Sequence, residues 1–314
     1  MTTSLFKNFI PYLVNSTASA SDPEAYESKD PSGATWRSMG LLPALIGPSA
    51  FIEPLEGLGK LMAVQINERN LPGKVRDEHL KKEVARVEAA EGRKVSKKEY
   101  AQLRDEVEMN LLPRAFIRRS VVPVFFFPYK HLVGRNVMLV FTSSQKRADD
   151  VVGLLSAVFG ERLDPWKIEP EHALHTQMTS MVRDSEIGRF NPGTSALLKG
   201  PEKKTVRVKA VDVENARIMA LLQDGYEIHE MEMRHGDDES QHSFSVNDGL
   251  IFKRVEPFGI KDTGDYYSDA AVRVAHIKDL VRHFFDREDG FGMATPPEPR
   301  AQAASANSDE DDEL

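Results

Sequence analysis

Residues 73–112 read GKVRDEHLKKEVARVEAAEGRKVSKKEYAQLRDEVEMNLL, a highly charged stretch with helical periodicity. Its first half carries one narrow apolar stripe, formed by Leu80, Val84 and Val87. Gly92 is expected to end this first helix, and Ser96 with Glu99 has the spacing of a capping box that opens a second. The stripe of the second helix consists of Tyr100, Leu103, Val107 and Leu111. We therefore predict a thin helical hairpin that projects from the rest of the protein.

Strand patterns flank this hairpin on both sides. Strands are predicted at Leu5–Val14, Leu61–Ile66, Ser120–Phe127, Asn136–Phe141, Thr205–Val213 and Tyr226–Met233. Further helices are predicted after Ser144 and at Glu171–Arg183, Asn215–Leu222 and Ser268–Phe285. Asn247-Asp248-Gly249 should turn a hairpin, with Asp-Gly supplying a residue at positive φ. The pattern predicts an α+β protein with mixed sheets and flanking helices, interrupted by a protruding helical hairpin.

Composition excludes several classes of protein. The chain has 314 residues and no cysteine, which excludes disulfide scaffolds, thiolate metal sites and cysteine nucleophiles. No apolar run is long enough to cross a bilayer, and the N-terminus lacks the pattern of a signal peptide. We expect a cytoplasmic protein with no membrane partner. The formal net charge is −8, to which five consecutive acids at 309–313 contribute, so any polyanion site must be a local basic surface.

Basic residues concentrate at the hairpin bend and just after the second helix. The bend carries Arg93, Lys94, Lys97 and Lys98, and the following segment carries Arg114, Arg118 and Arg119. Lys97 and Lys98 lie in the first turn of a helix, where the helix dipole disfavours cations. Two interpretations stay open. One is a solvated bend that keeps the hairpin soluble, and the other is a tip that contacts nucleic-acid phosphates.

A second basic group enters the predicted strand at Thr205. Its members are Lys203, Lys204, Arg207 and Lys209. Since side chains alternate along a strand, Arg207 and Lys209 should share one face, opposite the valines. The polar outer face of a half-buried strand would give the same pattern. Lys253 and Arg254 are interpreted as a solvated pair.

Phe116 follows the end of the second helix, which Pro113 should stop. Aromatic residues at such positions usually fold into the adjacent core. An exposed phenylalanine there would instead serve as a contact for another subunit, since aromatic side chains dominate interface energies.

Local enzyme signatures are weak. His172 and His175 have helical spacing, but no third metal ligand has a recognisable spacing from them. A metal-nuclease site could be assembled around His229 from acidic residues between Asp212 and Glu232, including Glu214, Glu227 and Glu230. Such acidic pairs recur by chance in a chain this rich in carboxylates, so this interpretation is forced. The chain has no Walker loop, dinucleotide fingerprint or nucleophile elbow. We predict no catalytic residue, no metal and no cofactor.

The run Leu111-Leu112-Pro113-Arg114-Ala115-Phe116, preceded by Leu103-Arg104-Asp105-Glu106-Val107, resembles the signature of the RdgC family of recombination-associated nucleoid proteins. Collinear matches support it: Phe6-Lys7-Asn8 with Tyr12, Met39-Gly40, Leu71-Pro72, Arg93-Lys94, Ser144–Asp150, and Asp248-Gly249 before Lys253-Arg254. The match spans roughly residues 4–285 and is densest at 88–120.

The resemblance implies a homodimeric ring that holds double-stranded DNA in a basic channel without sequence preference and limits the access of a recombinase. It implies a central domain (1–72 and 120–165), a tip or gate domain (73–119) and a base domain (166–290). Residues 291–314 are predicted to be a disordered acidic tail. Phe116 matches the gate aromatic, and Arg93, Arg114 and the strand with Arg207 and Lys209 match channel-lining regions.

This sequence departs from the family pattern at two basic positions. Ala210 and Tyr226 stand where lysines occur in the enterobacterial member, which should weaken binding and lower its salt dependence unless other cations compensate. The acidic tail could compete with DNA for the channel. Two other functions stay open: a metal-dependent exonuclease, and a protein-binding adaptor whose basic bend is incidental.

Overall fold

The computed structural model describes residues 3–15, 22–33, 35–43, 50–129, 135–160, 163–184, 189–213, 215–236, 242–257 and 263–296. Two compact units contain these residues: the first draws on 1–21, 57–59 and 126–314, and the second on 22–56 and 60–125. Among the described helices, none combines the length and hydropathy that a bilayer crossing requires. The division into central, tip and base domains stays a prediction.

The described residues form six α-helices and twelve strands. The helices are α1 Gly73–Glu91, α2 Lys97–Leu111, α3 Gln145–Phe159, α4 Leu174–Asp184, α5 Ala216–Gln223 and α6 Tyr266–Phe284. The strands are β1 Ile10–Val14, β2 Arg37–Leu41, β3 Ile52–Leu55, β4 Gly59–Asn70, β5 Phe116–Pro128, β6 Asn136–Val140, β7 Trp166–Lys167, β8 Phe190–Lys199, β9 Thr205–Val208, β10 Glu227–His235, β11 His242–Asn247 and β12 Phe252–Pro257.

The strands form two antiparallel sheets, which confirms the α+β class. The prediction that the sheets mix parallel and antiparallel strands is wrong. In the five-stranded sheet, β10, β11 and β12 follow one another directly in the chain. Short loops between consecutive strands place neighbouring strands antiparallel.

The second unit contains the helical hairpin and strands β2 to β4. Its hairpin follows the predicted signals: Gly92 ends α1 at a φ of 66°, and Ser96 and Glu99 cap α2 reciprocally. Leu80 of α1 and Val107 of α2 are buried. Tyr100 is 48% exposed, so the predicted stripe is wrong at its first position because the seam does not reach the bend.

Arg69, near the end of β4, fixes the chain that leaves the hairpin. Its guanidinium donates hydrogen bonds to the carbonyl oxygens of Leu112 at 2.9 Å, Pro113 at 3.0 Å and Pro31 at 2.8 Å. Pro113 lies in a short 3-10 turn between α2 and β5, which confirms that the second helix stops there. Two of these bonds attach the turn that precedes β5 to the end of β4.

The first unit contains a five-stranded sheet in the order β12-β11-β10-β8-β9. One face is apolar: Phe190, Phe244 and Phe252 pack against Phe284 of α6, with ring centroids 4.9 to 6.3 Å apart. Alternation along β10 places Glu230, Glu232 and Arg234 on the other face, where they are half-buried or exposed. We call this polar surface the open face.

The same unit contains β1, which pairs with β6 and β7. Just before β1, Phe9 exchanges two backbone hydrogen bonds with Phe252 of β12, at 3.0 and 2.9 Å, and the two rings stack 4.5 Å apart. The segment before β1 is therefore attached to the five-stranded sheet. Leu5 and Phe6, predicted as strand, form a 3-10 turn instead.

Three further expectations need correction. The strand predicted to reach Val213 ends at Val208, because Ala210 adopts a φ of 54° that no extended strand contains. Leu250, at a φ of 55°, supplies the left-handed residue of the β11–β12 turn in place of Asp248-Gly249. The predicted tail begins too early, since the Phe291 ring stacks on that of Phe284 at 4.5 Å. Residues 297–314 lie outside the described part of the chain.

Candidate nucleic-acid interface

The hairpin bend presents three exposed lysines, Lys94, Lys97 and Lys98. No carboxylate of the described residues lies within ion-pair distance of them. Arg93 differs, since its guanidinium binds Glu91 and Glu99, each at 2.5 Å. These contacts raise the pKa of Arg93, and the Arg93 hydrogen bond is the largest cause that lowers the pKa of Glu99. Arg93 therefore stabilises the bend through its two ion pairs, while the three lysines are available to bind a ligand.

The start of β5 presents a second exposed group in the same unit. Phe116 is 82% exposed, so the expectation that it folds into the core is wrong. Strand alternation places Arg118 on the same face as Phe116, while Arg119 points the other way and binds Asp30 with two hydrogen bonds of 3.0 and 2.8 Å. Arg114 is exposed. Neither Arg114 nor Arg118 has an ion-pair partner among the described residues.

The first unit carries the second predicted basic group, at the edge strand β9. The side chains of Thr205 and Arg207 are exposed and those of the valines half-buried, as predicted. Lys204 pairs with Glu202 at 3.1 Å in the preceding turn. Lys203, Arg207 and Lys209 are exposed without an ion-pair partner in the described residues.

The open face contains a groove of about 310 Å³ beside β9. Arg207 and Lys209 line it together with Arg254, whose guanidinium donates a 2.5 Å hydrogen bond to the Ser245 hydroxyl. Sequence reasoning treated Arg254 as part of a solvated pair. Its position depends on the register shift between β11 and β12 and on its own φ of 54°, for which the sequence gives no signal. Lys253, its neighbour, pairs with Glu230 at 2.8 Å.

Some residues considered for metal binding lie close together, including His175 and Glu227 at 3.6 Å, but they do not form a metal site. In the described part of the chain no three histidine or acidic side chains are arranged to hold a metal ion. His175 stacks on His229 with parallel rings 5.1 Å apart, and His229 hydrogen-bonds Asp248 at 2.6 Å. His172 is exposed. Glu214 lies outside the described residues.

These observations define a class: an α+β protein with two sets of exposed cations and, where described, no cluster of metal ligands. A family profile described as "Putative exonuclease, RdgC" matches residues 5–274. The chain belongs to the RdgC family, which confirms the resemblance seen in the sequence.

Individual relatives carry the same family name. The chain is 32% identical over 179 residues to the recombination-associated protein RdgC of Shewanella sp. (strain ANA-3), covering 56% of this chain and 57% of that protein. It is 33% identical over 202 residues to the recombination-associated protein RdgC of Pseudomonas syringae pv. syringae (strain B728a), covering 62% of each chain. The alignments thus span less than two thirds of these relatives. Their names describe recombination-associated proteins and name no enzyme, while the profile description names an exonuclease.

Proposed function

We propose that this protein binds double-stranded DNA without sequence preference, as a homodimeric ring around the duplex, and thereby limits the access of a recombinase. The proposed binding residues are Arg93, Lys94, Lys97, Lys98, Arg114, Arg118, Arg119, Lys203, Lys204, Arg207 and Lys209. Within this set Arg93, Arg119 and Lys204 already have carboxylate partners, so we expect them to contribute less to DNA binding than the others. Association with the nucleoid follows from the same activity.

One observation carries the proposal. Although the chain has a net charge of −8, exposed cations without described acidic partners cluster at the hairpin bend, at the start of β5 and at β9. Cations of this kind bind phosphates and release counterions, which supplies sequence-independent affinity for DNA. Flexible lysines at a bend and an arginine on an edge strand are suited to contacts with the DNA backbone, whereas direct reading of bases commonly uses a helix or a β-ribbon in the major groove.

Phe116 supports the dimeric part of the proposal. A phenylalanine that is 82% exposed keeps a large apolar surface in water, and such surface is stabilised when a partner covers it. A second copy of the chain, contacting through the same region, would give a symmetric interface. We propose this contact as the gate of the ring.

The test is a salt titration of duplex binding by the wild type and a variant with Lys94, Lys97 and Lys98 changed to Ala. Removal of each phosphate contact should lower the slope of log K against log salt by about 0.9, equally for unrelated sequences. The matched control changes three exposed lysines of α1, namely Lys74, Lys81 and Lys82. Equal effects of both triple variants would contradict a role for the bend, and a loss confined to some sequences would contradict backbone binding.

The family profile's description names an exonuclease and so leaves a second candidate open, which we take as a metal-dependent exonuclease. Incubation with linear duplex and Mg²⁺ or Mn²⁺ separates the two, because a nuclease shortens the DNA and a binder only shifts its mobility. The adaptor alternative predicts no shift of naked DNA even at low salt. Inhibition of recombinase-driven strand exchange in proportion to DNA coverage would support the occlusion role.

A further inference from the structure

The groove on the open face holds one carboxylate whose charge no described cation neutralises. Glu230 and Glu232 both line the groove with Arg207, Lys209 and Arg254. Lys253 binds Glu230 at 2.8 Å. Glu232 instead accepts a hydrogen bond from the Thr194 hydroxyl at 3.2 Å, and none of the described cations lies within ion-pair distance of it.

The packing fixes Glu232 in this place. Gly193 of β8 lies against its side chain so closely that a Cβ there would come within 2.7 Å of the Glu232 Cγ. The Thr194 hydroxyl holds the carboxylate end. Glu232 is therefore a fixed negative charge in a groove that is also lined by three cations without an ion-pair partner among the described residues.

We propose that Glu232 sets the affinity of this groove for backbone phosphate, by repelling the anion that Arg207, Lys209 and Arg254 attract. The proposal rests on the DNA-binding function above. A phosphate seated among these cations has the same sign of charge as Glu232, which lines the same groove. Repulsion within the groove is weakened by water and salt but not abolished.

Glu232→Gln is a nearly isosteric test. The amide keeps the packing over Gly193 and a hydrogen bond to Thr194, and it removes the charge. In EDTA at low salt, the variant should bind random-sequence duplex about three- to tenfold tighter than wild type, with the difference shrinking as salt rises. Glu288→Gln is the matched control, because it removes one exposed charge that does not line the groove and should change affinity less than about twofold.

A double-mutant cycle tests whether Glu232 and Arg207 act on the same bound phosphate. In an Arg207→Ala background the gain from Glu232→Gln should diminish, because the two side chains would act on one phosphate. Equal binding by the E232Q and E288Q variants would overturn the proposal. So would weaker binding by E232Q in Mg²⁺, since the carboxylate would then attract DNA through a bridging cation. If wild type and every variant fail to bind duplex, the DNA-binding function itself fails, and this inference with it.

Discussion

Acidification from pH 7 to pH 5 should destabilise the first unit through a row of four histidines. His235 and His242 are buried at adjoining ends of β10 and β11, with rings 6.0 Å apart. Two α6 histidines flank them, since the ring of His283 lies 4.9 Å from that of His235, and His276 lies 4.9 Å from His242.

Burial is the main cause that lowers the pKa of both central rings to about 4, and the neighbouring histidines add to it. Arg189 lowers the pKa of His235 further, and Asp279 opposes the shift at His242. The buried Nδ1 of His235 has no hydrogen-bond partner among the described residues. In the folded protein His235 and His242 therefore disfavour protons that they accept in the unfolded chain.

The sign follows from the lowered pKa. As pH falls below about 6.5, the unfolded chain takes up protons first, so stability is lost progressively until about pH 4. At pH 5 the loss is about 2 kcal/mol for each central ring, and at most about 4 kcal/mol for both, because the charge of His242 already contributes to the lowered pKa of His235. A loss of that size lowers Tm by roughly 10 °C in a unit of this length.

Thermal denaturation at pH 7, 6 and 5 checks this for wild type and for a His235→Gln, His242→Gln double variant. The double variant should lose much less Tm between pH 7 and 5, whatever its starting stability. His172→Gln removes an exposed histidine and should keep the wild-type dependence. Equal pH-dependent losses in the double variant and wild type would refute the reasoning.

Three other perturbations have defined outcomes. Ser96→Ala removes the cap of α2 and should cost about 1 kcal/mol in a denaturant titration; no change would show that the capping box is not needed. Phe116→Ala should lower the dimer fraction by analytical ultracentrifugation and shorten residence on circular DNA, whereas Met109→Ala, also at an exposed apolar residue, should not. Gly40→Ala places a Cβ 2.5 Å from the Ser28 backbone and should lower the free energy of unfolding by about 1–3 kcal/mol. Its control, Gly33→Ala, places a Cβ where nothing lies within 4 Å and should be nearly neutral. Melting curves of the two variants check this.

Features encoded by neighbouring residues could be predicted from the sequence. The hairpin depends on Gly92 and on Ser96 with Glu99, whose capping contacts are local. β8 could not be predicted, because Asn191-Pro192-Gly193 has the composition of a turn. Pairing with β10, and the register shift opposite Pro192, overrides that local preference.

The candidate site also contains features that the sequence predicts and features that it does not. Strand alternation was sufficient to place Arg207 on an exposed face. The pairing of Arg93 with two glutamates, the exposure of Phe116 and the position of Arg254 beside Arg207 depend on how the chain packs in three dimensions. Periodicity and composition carry no information on such packing.

The hydrogen bonds between Phe9 and Phe252 affect how the chain must fold during synthesis. The residues just before β1 leave the ribosome earlier than their partner in β12, which follows more than two hundred residues later. At ordinary elongation rates that interval lasts on the order of ten seconds or more. Throughout it, the Phe9 ring lacks the Phe252 ring on which it stacks in the folded protein.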